Sequence, residues 1–294
     1  MVDTKKSFNN VAIYSSINDK KISLIANQVI EVLTNLGVNC LFPDSSQIKI
    51  PYAHKILTDK TVISRSDLLI AIGGDGTLLS SARIFGYKRI PILGINLGNL
   101  GFLTDIPPAD LTTSLTKVLH GNFIKDKRIF LEASIEGSTK QFQALNEVVL
   151  HSGSIAQLIE YDLFIDDEFV YRQKADGLIV SSSTGSTAYS LSGNGPIVSP
   201  EVKAISLLPM FPHSLNARTL ITSHKKTIKL RVREKYKAYL SMDSHNNIKV
   251  LPNKDVLIKK ADRELTLIHP KDHSFFASCR DKLGWSLGVP SSNT

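Results

Sequence analysis

The hydrophobic pattern changes period near residue 125, and that change limits the chain to two kinds of architecture in series. Before it, strand-like runs alternate with helical ones. Val11 to Tyr14 is followed by Ile22, Ile25, Val29 and Leu33 at helical spacing up to Gly37, then by VNCLF, by DLLIAIGG running into TLLSSARIFG, and by IPILGIN. Such alternation builds a parallel sheet wrapped by helices. A last helix is expected to start at Pro108 and to carry Leu111, Leu115, Val118 and Leu119 on one face. From about Phe130 the chain reads as short strands with turns. IFLEASIEGSTKQFQALNEVVL predicts a hairpin about Gly137, and YDLFIDDEFVYR another about Asp166 and Asp167. TLIT, TIKLRVR, KAYLSM, DVLIKK and LTLIHP are further expected strands, and the last twenty or so residues, too few for a domain, are expected to pack back on the rest.

The 294 residues, 42% hydrophobic and 21% charged, suffice for two cores. No apolar run approaches the roughly 18 residues that cross a bilayer, and MVDTKKSFNN lacks the apolar stretch of a signal peptide, so a cytoplasmic location is expected. Cys40 and Cys279 match no metal or redox spacing and are read as reduced and structural. The net charge of +8 permits a polyanion surface or an anionic small ligand. Part of the excess lies in TIKLRVREKYK, where Lys229, Arg231 and Arg233 alternate with Ile228, Leu230 and Val232, the pattern of a strand with a solvated basic face.

Three stretches carry chemistry. In LLIAIGGDGTLLS a strand-like run enters Gly73-Gly74-Asp75-Gly76 and leaves into a helix. Glycines there let backbone N–H groups and a helix N-terminus approach phosphate. The Lys and Ser/Thr of a P-loop and the six-residue dinucleotide fingerprint are both missing. Asp75 beside phosphates can accept a proton from an attacking hydroxyl or hold a metal ion; the plainer reading is a cap on a helix beginning near Thr77. STGSTAYSLSGNGPIVSP, residues 183 to 200, crowds hydroxyls and glycines around Tyr189, as a pocket for a polar ligand with a ring would, and as an ordinary glycine-serine loop also would. ALNEVVL sets Asn146 and Glu147 in an apolar strand, where burial without partners costs about 1–3 kcal/mol each and so favours a site.

Taken in order, GGDGTLLS, NLGNLGFLTD, LNEVVLH, DGLIVSSSTGSTAYSLSGNGPIVSP and HPKDHSFF resemble the bacterial NAD kinases over nearly the whole chain, from about Val11 to Trp285. The wider superfamily, with diacylglycerol kinases and phosphofructokinases, shares the glycine-aspartate loop but is not expected to share the Asn-Glu pair together with Thr-Ala-Tyr-Ser. The resemblance implies an α/β Rossmann-like N-terminal domain over 1–125, to which 271–294 returns, and a β-rich, β-sandwich-like domain over 126–270, with nucleotide in the cleft where they meet. It implies ATP-dependent phosphorylation of the 2′-hydroxyl of the adenosine ribose of NAD, with a divalent metal, Mg2+, whose ligands it leaves unknown. Asp75 is the implied proton acceptor, and Gly73, Gly74, Gly76 and Thr77 the implied phosphate contacts. By the same carry-over Asp75, Gly76, Asn146, Glu147, Lys174, Asp176, Thr187, Ala188, Tyr189, Ser192 and His245 bind NAD.

Asp176 also reads as a turn residue before Gly177, and His245 as a turn residue in MDSHNN. Lys174 stands where some relatives carry Arg, giving a point charge in place of a planar fork; relatives also differ at Gln157 and His245. The expected partners are nucleotides and further copies of this chain, as a dimer or tetramer, with neither nucleic acid nor membrane. A lipid kinase of the same superfamily and a non-catalytic dinucleotide-binding regulator are the alternatives. No amphipathic segment favours the first, and a regulator needs no base at Asp75.

Overall fold

The computed structural model describes residues 6–49, 54–98, 101–154 and 157–285, and its backbone divides into two units, Met1–Lys127 with Leu265–Thr294, and Arg128–Glu264. Asn99 and Leu100 of the NLGNLGFLTD stretch, and residues 286–294 of the tail, lie outside the described residues.

Unit 1 opens with β1 (Asn10–Tyr14), α1 (Lys20–Asn35), β2 (Asn39–Pro43), β3 (Ile56–Leu57), α2 (Asp59–Arg65), β4 (Leu68–Ile72), α3 (Asp75–Ile84), β5 (Ile92–Ile95) and α4 (Leu111–Leu119). Neighbouring strands are parallel in the order β3-β2-β1-β4-β5. The periodic residues named above explain this. Asp19 caps α1 by accepting from the Lys21 N–H at 2.7 Å, Ile22, Ile25, Val29 and Leu33 are buried, and Gly37 ends the segment at φ 61°. Leu111, Leu115, Val118 and Leu119 of α4 join the same core, together with alternate residues of β1 and β4. Full burial of β4, all five residues, is what a central parallel strand requires. The strand order reverses between β1 and β4, since β2 follows on one side and β5 on the other, and ligands of such sheets bind beyond the strand ends at that switch. The Gly73–Gly76 loop leaves β4 there.

Unit 2 takes up β6 (Phe123–Ile135) from Arg128 and continues through β7 (Gln141–Ala144), β8 (Glu147–His151), β9 (Ile159–Ile165), β10 (Glu168–Ala175), β11 (Gly177–Ser182), α5 (Tyr189–Ser192), β12 (Ala204–Met210), β13 (Leu220–Ser223), β14 (Ile228–Val232), β15 (Ala238–Met242), β16 (His245–Val250) and the first part of β17 (Asp255–Pro270). One antiparallel sheet runs β13-β12-β11-β8-β15-β16, and β10-β9-β14-β17 forms another. Buried residues of both meet in one core, including Val148, Leu178 and Leu240 from the first and Tyr161, Leu230 and Val256 from the second, so the unit is a sandwich. The predicted turns are present. Gly137 has φ 82°, and Asp166 and Asp167, at 48° and 68°, join β9 to β10.

The remainder of β17, paired in parallel with β5, and α6 (Phe275–Leu283) return the chain to unit 1. The strand reading needs one correction and leaves out some elements. DVLIKK and LTLIHP are one strand, β17, because the polar residues between them interrupt the apolar pattern without breaking the backbone. AISLLPM, passed over in the strand reading, is β12, paired with β11 from Ile205 to Met210. Its Pro209 lies past Leu207, where pairing with β13 ends, the edge position in which proline is tolerated. The short elements β3 and α2 carry too few periodic residues to be read from sequence.

Candidate active site

The functional side chains form two constellations, one in each unit. In unit 1, α3 begins at Asp75, two residues before the expected start, with Gly74 at the cap position and no side-chain cap bond. The capping reading of Asp75 therefore does not hold. Its carboxylate turns instead to the following loop, where Oδ2 accepts from the Phe102 N–H at 3.0 Å and Oδ1 from the Leu103 N–H at 3.1 Å. Gly101 permits this approach, since a Cβ there would lie 2.2 Å from Asp75 Oδ1. Lys282 of α6 places Nζ 3.5 Å from Oδ2. A carboxylate offers about four lone-pair positions, so one remains for an incoming proton.

Around Asp75 the loop is open. Nothing lies within 4 Å of a Cβ built on Gly74 or Gly76, and both are exposed. Thr77 is different. It is buried, its side chain packs against Gly73, and its hydroxyl shares a hydrogen bond with Ser16 Oγ at 3.0 Å. Its hydroxyl is thus engaged inside the unit, and its N–H donates to the Gly74 carbonyl at 3.0 Å.

A second cluster in unit 1 was missed by the sequence reading. Asp105 accepts from the Nδ1 atoms of His269 and, at 3.0 Å, His273, whose rings stack at 4.1 Å and 14°. Burial alone would raise the Asp105 carboxyl, but the two histidine hydrogen bonds hold it well below the usual carboxylate range. The three donor atoms lie within 4.8 Å of one another. Nearly parallel rings cannot both hold one ion in their planes, so the arrangement is a buckle fastening the start of α6 to the 101–106 loop. HPKDH in the sequence was the available signal; its partner Asp105 was not recognisable as such.

In unit 2 the Asn-Glu pair stands at the entry to β8, both residues buried. Three successive N–H groups, of Leu145, Asn146 and Glu147, donate to the Asp243 carboxylate at 2.7, 2.8 and 3.1 Å. Asp243 is the residue sequence reasoning overlooked in MDSHNN while singling out His245. His245 itself is exposed, with Nδ1 2.7 Å from the Asp243 carbonyl oxygen. Gly185 packs its Cα on the Asn146 carbonyl, where a Cβ would come within 2.2 Å. With the backbone so fixed, Asn146 Oδ1 and Glu147 Oε2 are buried without partners. Tyr189 donates its N–H to the Glu147 carboxyl, but burial first, and the nearby Asp243, push that group up to about 8. Burial likewise raises Asp243.

Asp176 and Tyr189 line a cavity of ≈ 530 Å³ with Val149, His151, Met210 and Phe211. Thr187 and Ala188 immediately precede Tyr189, and the Thr187 hydroxyl donates to the Thr184 carbonyl at 3.3 Å. Ser192 and Lys174 are exposed and line no part of this cavity. Strand β14 alternates as expected between buried apolar residues and a solvent-facing basic side, and that side is ion-paired: Lys229 pairs with Asp167, Arg231 with Asp255 at 2.7 Å, and Arg233 lies 3.7 Å from Asp162, which Arg172 also meets at 2.6 Å. Among the described residues no helix is long and apolar enough to cross a membrane.

These constellations have known counterparts. Residues 11–123 match the ATP-NAD kinase N-terminal domain, and residues 145–270 the ATP-NAD kinase C-terminal domain. The chain is 41% identical to an NAD kinase of Marinobacter nauticus over 97% of its own length and 99% of that protein. It is 46% identical to an NAD kinase of Salmonella dublin over 76% of its length and 77% of that protein. Its fold is similar to that of yeast NADH kinase complexed with NADH, with a TM-score of 0.80 and 26% identity over 97% of this chain and 90% of that one. A glycine loop carrying Asp75, a buried Asn-Glu pair, and matches in both units at this level have one consequence: the chain belongs to the ATP-NAD kinase family.

Proposed function

We infer that the protein is an NAD kinase that transfers the γ-phosphoryl group of ATP to the 2′-hydroxyl of the adenosine ribose of NAD, giving NADP and ADP. The observation that carries this is the Asp75 carboxylate, held by two backbone N–H groups at the open mouth of a glycine loop, in a chain of this family. As the ribose oxygen bonds to phosphorus and the bond to ADP breaks, the hydroxyl proton passes to Asp75. The N–H groups of Gly74 and Gly76, at the start of α3, offset the charge of the phosphates, while those of Gly73 and Thr77 donate to the Ile95 and Gly74 carbonyls and shape the loop around them. Mg2+, when bound, neutralises phosphate charge. It would be held chiefly by substrate oxygens and water, because the last open position on Asp75 is kept for the proton.

In unit 2, Asn146 and Glu147 offer unpartnered polar atoms to the hydroxyl and amino groups of the dinucleotide. Glu147 is protonated near neutral pH in the free protein and donates as well as accepts. Tyr189 supplies a ring face, and Lys174, Asp176, Thr187, Ala188, Ser192 and His245 complete the dinucleotide contacts. In this reading residues 1–125 and 271–294 serve the phosphates and 126–270 the NAD. The enzyme works in the cytoplasm as a dimer or tetramer. Incubating purified protein with ATP, Mg2+ and NAD, with diacylglycerol in a parallel tube, tests this: NADP forms in the first and no lipid phosphate in the second. Lipid phosphate without NADP would replace the reading.

A further inference from the structure

Lys282 stands on the last turn of α6, far from every motif that marks the active loop in the sequence, yet both of its contacts fall on the clamp around Asp75. Its Nζ lies 3.5 Å from Asp75 Oδ2 and 4.5 Å from the centre of the Phe102 ring. Phe102 is the residue whose N–H donates to the same oxygen. The helix that delivers Lys282 is capped by Ser274, which accepts from the Ala277 N–H at 3.3 Å, and His273, one residue earlier, fastens it to the same loop by bonding Asp105 at 3.0 Å. Gly284, at φ 65°, ends the helix just past Lys282. A lysine side chain gives up much rotamer freedom when it is held, and solvent offers it no reason to settle on one carboxylate. Its ring contact and its ion contact together select this position.

Two N–H donors from adjacent residues hold the two oxygens of Asp75 from one side, which leaves the tilt of the carboxylate plane to a third contact. We propose that Lys282 is a positioning residue for phosphoryl transfer, holding Asp75 Oδ2 and the Phe102 ring so that the carboxylate faces the reacting hydroxyl, and acting through Asp75 rather than on the donor phosphates. This rests on the reading of Asp75 as proton acceptor.

The test uses the full chain as parent, Lys282→Met, Lys282→Arg, Asp75→Asn and the double variant D75N/K282M. Misplacement of a reacting group by about 1 Å costs up to 10²-fold. Lys282→Met is therefore expected to lose about 10- to 100-fold in kcat with KM for ATP and NAD within about threefold, and Lys282→Arg to recover most of the loss. Residues that act as one unit do not add, so the double variant turns over no slower than Asp75→Asn alone. A raised KM for ATP at unchanged kcat, a further tenfold loss in the double variant, or parental rates in Lys282→Met would each overturn the proposal. Amide hydrogen exchange supplies a readout without turnover. The Phe102 and Leu103 N–H groups exchange roughly tenfold faster in Lys282→Met, with β4 amides unchanged. Exchange that stays parental at both, or that quickens throughout β4, also overturns it. A parent that makes no NADP would sink the kinase reading while the exchange data still judge Lys282.

Discussion

Glu147 shows how one residue can be costly to the free protein and useful to the bound one. It is buried beside Asp243, and its carboxyl is pushed up to about 8 from an ordinary value near 4.5. The unfolded chain loses this proton near 4.5 and the folded chain near 8, so between those values the folded state binds more protons. Its contribution to stability is fully present below about 4.5 and is lost as pH rises through 8. Glu147→Gln, neutral at every pH, is expected to remove that loss: its thermal midpoint equals or exceeds the parent's at pH 8, and the parent regains ground relative to it at pH 5. Nearly three pH units of unequal proton binding, at about 1.4 kcal/mol per unit, put the difference at roughly 3–4 kcal/mol. Parallel melting curves at the two pH values would contradict the assignment. Asn146 and Glu147 were legible in the sequence because polar side chains in an apolar strand demand a reason. Asp243 was not, because the three N–H groups it serves are nearly a hundred positions away and no local pattern marks them.

At the scale of elements, the entry to β8 depends on a turn in a different hairpin. Asp243 sits between β15 and β16 at φ 46° and ties down residues 145–147. Hydrogen bonds to charged groups contribute about 1.5–3 kcal/mol each. Asp243→Ala is therefore expected to cost roughly 2–4 kcal/mol in denaturant unfolding and to raise KM for NAD well above any change in KM for ATP. Equal changes in both would mean that the clamp serves the fold alone. The elements themselves were mostly readable: helices α1 and α4 from apolar spacing, the β9–β10 hairpin from its paired aspartates. What escaped were the joins. The unbroken run of β17 and the buried strand with Pro209 depend on which neighbour supplies hydrogen bonds, and that is settled by tertiary pairing rather than by local sequence.

For the whole molecule, a net charge of +8 invites a nucleic-acid role, and the cross-strand ion pairs of β14 argue against placing one on that face. Exposed pairs are worth about 0.2–1 kcal/mol each. Reversing Arg231 and Arg233 to Glu sets like charges against Asp255 and Asp162, so a loss of about 1–2 kcal/mol in stability is expected, with kcat/KM for NAD within a few-fold of the parent below the melting range. A large loss of kcat/KM in a folded variant would place this strand in the catalytic machinery. The central claim concerns a single carboxylate, and Asp75→Asn tests it most directly, because the amide keeps the shape and the place in the loop but cannot take the proton. The account predicts a folded protein that binds NAD nearly as the parent does and loses roughly 10²–10⁴ in kcat for NADP formation. Turnover within a few-fold of the parent would contradict it.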